Sequence, residues 1–418
     1  MKTESLFDRS KQIMPGGVSS PVRYVEPYPL YAERGDGSKL TDVEGNQYID
    51  YCMGYGPLLL GHGLPEPVEE KVKDQIDRGV LFGLSGEIEV EFAEFLVERV
   101  PSLEMVRFVN SGSEATMAAI RTIRGYTNKD KIVKIAGGFH GAHDSVLVEA
   151  GSGAVDIPAS DGIPEDFVRH TLQVPFNDPG KLEEVLENYS TEIAGIIMEP
   201  MMGNAGVIPP ENGYLERVRE LADEHDVLLV FDEVITGFRL GLGGAQEYFG
   251  ITPDLTTMGK IAGGGFPIGL FGGKREIMSE ISPQGNTYEA GTFNGHPVAL
   301  VAGYNLLKYV EKEGVHDKVN SLGERLREGL KKLTEGTGYQ VAGLGSTFKV
   351  FFTDLDRPPR NYSEAKSCRD EEWKKEFRPK MLDEGIFLPP SQYETQFISF
   401  AHSEKDIEKT LEAYDKCL

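Results

Sequence analysis

Short apolar runs alternate with longer amphipathic stretches over most of the chain. The runs are bounded by Gly, Pro, Asn or Asp and are rich in β-branched residues, which is typical of buried strands in a parallel sheet. They occupy residues 106–109, 131–135, 194–198, 227–231 and 269–272. Between the runs, residues such as Leu215, Val218 and Leu221 fall on one face of a predicted helix. This alternation predicts an α/β fold with helices on both faces of a mostly parallel sheet.

The two ends of the chain differ from this central pattern. A segment rich in Pro, Gly and Tyr, followed by a short alternating stretch, predicts an N-terminal arm with a small antiparallel ribbon. Near Val298 a long helical pattern begins, followed by a strand at residues 347–352, a charged helix from about Ser363 and a last helix from Lys405. We therefore expect an arm at 1–50, a large α/β domain at 51–297 and a smaller α+β domain at 298–418.

Composition and charge exclude several classes of protein. The formal net charge is −24, because 67 Asp and Glu outnumber 43 Lys and Arg. Such a field repels phosphate backbones and anionic lipids, so we expect neither a nucleic-acid nor a membrane partner. An ordinary acidic surface and a surface adapted to a high-salt cytoplasm both fit this charge. Three cysteines without a Cys-x-x-Cys pair, and an N-terminus without an apolar signal, predict a reducing, cytoplasmic location.

The segment FVNSGSEATMAAIRTIR, at residues 108–124, predicts a strand that runs into a helix. Ser111 and Glu114 have the spacing of a capping box. The amides of Gly112 and Ser113 then lie at the positive N-terminus of the helix, where phosphate binds. A well-capped helix without any ligand fits the same residues.

Two later segments each contain a candidate functional residue, an acid in the first and a lysine in the second. In DVLLVFDEVITGFR, an apolar run places Asp232 and Glu233 at the carboxyl end of a strand, where ligands bind in parallel sheets. A buried Asp232 needs a cationic partner, either an Arg or a ligand nitrogen. In DLTTMGKIAGGGFPIG, Lys260 lies among small residues, and loss of hydration there makes an amine nucleophilic. A strand-end helix cap and a surface lysine are the plainer alternatives.

The segment GGFHGAHD contains an aromatic residue and two histidines. Phe139 follows a strand, so its ring packs either on a flat ligand or in the core. His140 and His143 have no nearby Glu or third His, so we expect no metal site. A phosphate turn, a strand-end acid, a reactive lysine and an aromatic ring are together the groups that pyridoxal 5′-phosphate requires. Neither a Walker loop nor a GxGxxG after a strand occurs, which excludes kinases, NTPases and dinucleotide-binding enzymes.

In their context these motifs resemble those of class III pyridoxal-phosphate-dependent aminotransferases. The resemblance runs from PGGVSSPVR at residue 15, through VRFVNSGSEA, MEPMMGNAGVI, VFDEVITGFR, TPDLTTMGKIAGGGFPIG and AGTFNGHPVA, to LPPSQYE at residue 388. It implies the type I fold of pyridoxal-phosphate-dependent transferases. It also implies pyridoxal 5′-phosphate and its pyridoxamine form as cofactors, and a homodimer with shared active sites.

The resemblance implies a role for each matching position. Lys260 would bind the cofactor covalently and move a proton, and Asp232 would pair with the protonated pyridine nitrogen. The other implied cofactor-binding residues are Ser111, Gly112 and Ser113 at the phosphate, Phe139 and Val234 on the ring faces, Asn204 at the ring hydroxyl, and Thr292 at the phosphate of the neighbouring subunit. The implied substrate-binding residues are Ser20 and Arg23 at the carboxylate, Tyr55 on the pocket wall, and Glu394 near the amine.

Three positions depart from the commonest family pattern. Phe139 stands where Tyr is usual, Ser113 where Thr is usual, and Tyr55 where many bacterial members have Trp. Phe139 can still stack on a ring but lacks a hydroxyl group. The Tyr at position 55 can still form a wall of the substrate pocket, but it changes how the substrate fits there. None of the three positions takes part in the implied electron-sink chemistry.

The resemblance further implies an intramolecular aminotransferase that converts glutamate 1-semialdehyde to 5-aminolevulinate in porphyrin biosynthesis. It is also compatible with a transient contact with the enzyme that supplies the aldehyde. Two alternatives stay open, a two-substrate ω-aminotransferase and a cofactor-binding regulator without turnover. The arm residues Ser20 and Arg23, with a closing loop expected at residues 151–164, favour the isomerase.

Overall fold

The structure is a computed structural model that describes residues 2–149 and 157–418. Its helices are α1 (Lys2–Lys11), α2 (Glu66–Arg78), α3 (Glu87–Arg99), α4 (Gly112–Thr127), α5 (Glu165–Val168), α6 (Pro179–Tyr189), α7 (Tyr214–Glu224), α8 (Gly244–Phe249), α9 (Arg275–Met278), α10 (Pro297–Lys312), α11 (Val315–Leu333), α12 (Tyr362–Lys366), α13 (Asp370–Glu372), α14 (Arg378–Asp383) and α15 (Glu404–Cys417). No helix within the two described ranges is both long enough and apolar enough to cross a lipid bilayer.

The strands of the described residues form four separate sheets. They are β1 (Ala32–Asp36), β2 (Lys39–Asp42), β3 (Gln47–Asp50), β4 (Met105–Val109), β5 (Lys131–Ile135), β6 (Val148–Glu149), β7 (Ile157–Pro158), β8 (Thr171–Val174), β9 (Ile193–Met198), β10 (Leu228–Glu233), β11 (Leu255–Gly259), β12 (Gly269–Gly273), β13 (Tyr339–Ala342), β14 (Thr347–Phe352), β15 (Ile386–Phe387) and β16 (Gln396–Phe397).

The chain forms two compact units. We call Met1–Pro65, Asp317–Pro358 and Ser367–Leu418 the terminal unit, and Glu66–His316 with Pro359–Lys366 the central unit. The terminal unit takes residues from both ends of the chain. The division into three consecutive domains expected from the sequence stays a prediction.

The central unit is built on a seven-stranded sheet with the order β4-β12-β11-β10-β9-β5-β8. β12 runs antiparallel to β4 and β11, whereas the other neighbouring pairs are parallel. Every residue of β9, β11 and β12 is buried, which explains why these strands lack the alternation of a half-exposed sheet. The mostly parallel sheet confirms the predicted α/β fold.

Strand β11 was not predicted as a strand, because two threonines and a glycine interrupt its apolar residues. The structure buries both hydroxyls by giving each a hydrogen-bond partner. Thr256 Oγ1 shares a 2.8 Å hydrogen bond with Ser102 Oγ, and Thr257 Oγ1 donates to Asp232 Oδ1 at 3.2 Å. Satisfied hydroxyls remove most of the cost of burial.

The terminal unit contains two smaller sheets, with the orders β1-β2-β3-β15 and β13-β14-β16. The antiparallel pair β2 and β3 is the ribbon predicted near the N-terminus. The charged helix expected from about Ser363 is instead divided into α12, α13, a π-helical turn at Trp373–Phe377, and α14. Pro379 in the first turn of α14 has no N–H to donate, so it cannot continue a regular α-helix from the preceding turn.

Helix α10 packs closely on the 3₁₀ turn Lys260–Gly263, and Gly303 makes this possible. A Cβ atom at Gly303 would lie 1.8 Å from the carbonyl oxygen of Ala262. Because that oxygen belongs to the backbone, it cannot move aside without shifting the turn.

We predict that Gly303→Ala lowers the free energy of unfolding by about 1–3 kcal/mol, because it overpacks this contact. Gly180 in α6 is the matched control, since a Cβ there would meet only Asp178 Oδ1 at 3.6 Å. Gly180→Ala should be stabilising by about 0.4–1 kcal/mol, because it restricts the unfolded chain. Chemical denaturation followed by circular dichroism measures both values, and equal effects would contradict the packing argument.

Candidate active site

The carboxyl ends of β4, β10 and β11 lie at one edge of the central sheet. β10 and β11 are parallel, and β4 runs in the same direction because β12 is antiparallel to both β4 and β11. Gly269 of β12 pairs with both Val109 and Gly259, so β4 and β11 end at the same level. The residues that follow these strands therefore collect at the edge where ligands bind in open α/β sheets.

The predicted phosphate turn is formed at the N-terminus of α4. Ser111 is the N-cap, and its Oγ accepts a 3.1 Å hydrogen bond from the amide of Glu114. The carboxylate of Glu114 accepts from the amide of Asn110 rather than from that of Ser111, so the reciprocal bond of the capping box is displaced by one residue. The first amides of a helix have no intrahelical acceptor, so those of Gly112 and Ser113 suit an anion.

Two small residues shape the approach to this turn. A Cβ at Gly112 would lie 3.0 Å from both methyl groups of Val234, so only glycine leaves this contact unstrained. A Cβ at Gly259 would lie 3.6 Å from Val234 Cγ1 and 3.8 Å from the Gly112 nitrogen. The structure thus brings the phosphate turn, Val234 and the residue before Lys260 together.

Asp232 is only 4% exposed, yet it retains acceptor capacity. Its Oδ2 lies 2.7 Å from His140 Nδ1, and its Oδ1 accepts from the Val234 amide at 3.1 Å and from Thr257 Oγ1 at 3.2 Å. A carboxylate has about four lone-pair positions, and these contacts use three of them. A further N–H donor can therefore bind to the same carboxylate.

The neighbouring acid, Glu233, caps a helix. Glu233 is fully buried, and its carboxylate accepts from the amides of Ala245 and Gln246 at the start of α8. Successive side chains of a strand point to opposite faces, so one acid caps a helix and the other serves the site. The helix-cap alternative considered for this segment applies to Glu233.

Sequence reasoning missed the role of His140, which it weighed only as a metal ligand. The ring is buried against Asp232, and its Nε2 has no hydrogen-bond partner among residues 2–149 and 157–418. Burial lowers the pKa of the neighbouring His143 to about 4, so His143 is neutral near pH 7. Within the described part of the chain, no group of three or more His, Cys, Asp or Glu side chains could hold a metal ion.

Glu199 is a second residue that the sequence reasoning missed, although it comes directly after the buried strand β9, much as Asp232 comes near the end of β10. It accepts hydrogen bonds from the amides of Phe139 and Gly203 and from Asn204 Nδ2. Burial raises the pKa of Glu199. Since the amide nitrogen of Asn204 donates to Glu199, its Oδ1 is the atom left for a ligand hydroxyl.

Lys260 follows the carboxyl end of β11 and begins a 3₁₀ turn. Its φ is +48°, in the left-handed region that L-residues other than Gly, Asn and Asp rarely adopt. Such a conformation costs about 1–3 kcal/mol and is found mostly at functional sites. The surrounding packing, including the contact of Gly303 with Ala262, holds the turn in place.

The remaining predicted cofactor residues also lie in the central unit. Ser113 Oγ accepts a 3.2 Å hydrogen bond from the amide of Ala142, which ties the segment after β5 to the phosphate turn. Phe139 is 52% exposed, so it is not a core residue. Thr292 is also exposed. These roles in binding stay predictions.

The four predicted substrate-binding residues lie in the terminal unit. Arg23 and Tyr55 line one cavity of about 480 Å³, and the Tyr55 hydroxyl donates to the Val22 carbonyl at 3.0 Å. Ser20 and Glu394 are half-buried. Of the closing loop expected at 151–164, residues 151–156 lie outside the described residues, so the loop stays a prediction.

The chain matches known proteins over its whole length. The family Aminotransferase class-III matches residues 21–418. The chain is 55% identical over 421 residues to the glutamate-1-semialdehyde 2,1-aminomutase of Archaeoglobus fulgidus, with 100% of this chain and 99% of the relative covered. A solved omega-transaminase from Sphaerobacter thermophilus is 34% identical, with a TM-score of 0.92 and 100% and 97% of the two chains covered.

A solved glutamate-1-semialdehyde-aminomutase from Pseudomonas aeruginosa PAO1, in complex with PMP, is also similar. It is 25% identical, with a TM-score of 0.89, and 100% of this chain and 94% of that chain are covered. The motifs of the phosphate turn, the strand-end acid and the lysine turn are thus found in a chain that matches one family from residue 21 to its last residue. This chain belongs to the class III aminotransferase family.

Proposed function

We propose that this protein is a pyridoxal-phosphate-dependent isomerase that converts glutamate 1-semialdehyde to 5-aminolevulinate, an intramolecular amino transfer that serves porphyrin biosynthesis. The full-length identity of 55% to a relative named for this reaction supports the proposal. The structural observation that carries it is the buried Asp232 carboxylate, which keeps one acceptor position at the same sheet edge as Lys260 and the α4 N-terminus.

The central unit fits pyridoxal 5′-phosphate and its pyridoxamine form. The N-terminus of α4 suits the phosphate, and Asp232 suits a protonated ring nitrogen. Gly112 leaves Val234 in a position to press one face of a ring, and the exposed Phe139 can cover the other. When bound, the cofactor supplies an electron sink for the charge left on carbon when a proton is removed.

In the proposed reaction, residues of this chain bind the cofactor and transfer protons. Lys260 would bind the cofactor covalently and, as a free amine, would carry at its Nζ the proton of the 1,3 shift. Asp232 would pair with the protonated ring nitrogen, and His140 orients Asp232 through the 2.7 Å contact between its Nδ1 and Oδ2. Asn204 Oδ1 accepts from the ring hydroxyl, and Thr292 reaches the phosphate of the neighbouring subunit in a homodimer.

The residues that we propose for substrate binding belong to the terminal unit. Ser20 and Arg23 bind the substrate carboxylate, Tyr55 forms a wall, and Glu394 lies near the amine. An arginine at this position suits a carboxylate, because its planar fork matches two oxygens at once. We place the enzyme in the cytoplasm as a homodimer with shared active sites, in transient contact with the enzyme that supplies the aldehyde.

A two-substrate ω-aminotransferase is the second candidate. A solved omega-transaminase is 34% identical with a TM-score of 0.92, so the fold alone does not separate the two reactions. The two reactions differ in stoichiometry. An aminomutase returns the amine to the same carbon chain, whereas an ω-aminotransferase needs a separate donor and acceptor.

We predict that the purified holoenzyme converts glutamate 1-semialdehyde to 5-aminolevulinate with no added amino donor or acceptor. The product is quantified as its pyrrole derivative over many turnovers per active site. Lys260→Ala is the control and should form no product above background. Product formation that requires an added amino acid or oxo acid would instead support the two-substrate reaction.

We predict that Asp232→Asn lowers kcat by about 10²–10³, because a preorganised charge opposite the ring nitrogen is lost. Asp254→Asn is the matched control. Asp254 is also buried in the central unit and paired with Arg219 and Lys274, but it precedes β11 at the end opposite to Lys260. The control should lower the thermal stability and leave kcat within a few-fold of the wild type. A similar loss of kcat in both variants would contradict the role of Asp232.

A further inference from the structure

The cavity of the terminal unit has two guanidinium groups on its wall. It holds about 480 Å³ and is lined by residues that include Arg23, Tyr55, Cys52, Phe387 and Arg378. This volume lies within the range of small-molecule sites, about 300–1,000 Å³. Arg23 and Tyr55 already have proposed roles in binding the substrate, whereas Arg378 has none.

Within the described part of the chain, Arg378 is buried without a counter-ion. It begins α14 and is 7% exposed, and its Nε donates to the Leu388 carbonyl at 3.1 Å. The guanidinium also lies 5.9 Å from the centre of the Phe387 ring. Among residues 2–149 and 157–418, no hydrogen-bond acceptor or carboxylate binds its two Nη groups. Burial lowers the pKa of Arg378, as expected for a guanidinium taken out of water without an anion beside it.

The carboxylates that line the same cavity are already bound to other groups. Asp42 accepts from the Asn46 amide and side chain and from the Tyr48 hydroxyl. Asp50 Oδ2 lies 2.8 Å from His62 Nε2, and its Oδ1 accepts from two backbone amides. Neither acid is an ion-pair partner of Arg378.

Lys349, another buried cation of the terminal unit, has hydrogen-bond acceptors within the protein. Lys349 is fully buried, and its Nζ donates to the carbonyls of Ser391 and Glu394 at 3.4 and 3.3 Å. The same ammonium lies 3.7 Å from the centre of the Trp373 ring. Carbonyl groups of the protein therefore satisfy the N–H donors of Lys349. The Nη donors of Arg378 are instead available to a ligand that binds in the cavity.

We propose that Arg378 binds the carboxylate of the substrate in this cavity, together with Arg23, and so determines specificity for a carboxylate-bearing substrate. The inference rests on the proposed function. Two parallel N–H groups match the two oxygens of a carboxylate, and a buried site strengthens this contact. An analogue without the negative charge would leave the guanidinium unpaired and would bind poorly.

The test compares Arg378→Met and Arg378→Lys with the wild-type holoenzyme. Arg325→Met is the matched control, because Arg325 lies in the same unit and pairs with Glu404 and Glu408 on the surface. With glutamate 1-semialdehyde, Arg378→Met should raise KM by about 10- to 100-fold, the loss expected for a charged hydrogen bond, and change kcat little. With the analogue whose terminal carboxylate is a carboxamide, this variant and the wild type should have similar kcat/KM.

A second measurement does not depend on turnover. Calorimetric titration with 4-oxopentanoate, an unreactive carboxylate of the same chain length, should give a Kd at least about tenfold weaker for Arg378→Met, and unchanged for Arg325→Met. Arg378→Lys keeps a buried cation but loses the fork, so it should fold and should bind 4-oxopentanoate more weakly than the wild type.

The outcomes separate the two proposals. If folded Arg378→Met or Arg378→Lys protein binds 4-oxopentanoate as tightly as the wild type, the inference about Arg378 is overturned. If the wild type does not convert the semialdehyde but binds 4-oxopentanoate through Arg378, the proposed function fails and the carboxylate site stands.

Discussion

The site depends on one buried carboxylate, that of Asp232, which polar groups of the central unit hold in place. Removing a carboxylate from water costs several kcal/mol even after relaxation, so Asp232 must be compensated by fixed donors. His140, Thr257 and the Val234 amide supply them. These donors come from the segment after β5, from β11 and from the turn after β10, and the order of the central sheet brings all three to one edge. An anion held in this way remains available to a cation on a ligand.

Close backbone approach is the second requirement of this edge. Gly112 allows Val234 to pack on the phosphate turn, and Gly303 allows α10 to pack on the turn that begins at Lys260. The left-handed backbone of Lys260 is the local conformation that this packing maintains. A strained backbone conformation persists only where the surrounding packing enforces it. We therefore regard Gly112, Gly303 and the strained Lys260 as parts of one packed arrangement.

The sequence was sufficient for features that depend on local pattern. The apolar runs predicted most strands of the central sheet, and the cap at Ser111 predicted the turn at α4. Pairings between distant residues could not be predicted in this way. The contact of His140 with Asp232 joins residues 92 positions apart, and no spacing rule connects them. Glu199 carried the same strand-end signal as Asp232 and was overlooked. Lys349 and Arg378 are both cations within regular secondary structure. Only the structure shows that carbonyls satisfy Lys349, whereas no carboxylate among residues 2–149 and 157–418 pairs with Arg378.

We propose that the amine of Lys260 binds the aldehyde of the cofactor at this sheet edge. Borohydride reduction of the protein incubated with pyridoxal 5′-phosphate, followed by peptide mass mapping, identifies the lysine that reacts. We expect one stable phosphopyridoxyl addition per chain, on the peptide that contains Lys260, and none in Lys260→Ala. An addition at another lysine, or equal labelling of the alanine variant, would contradict it.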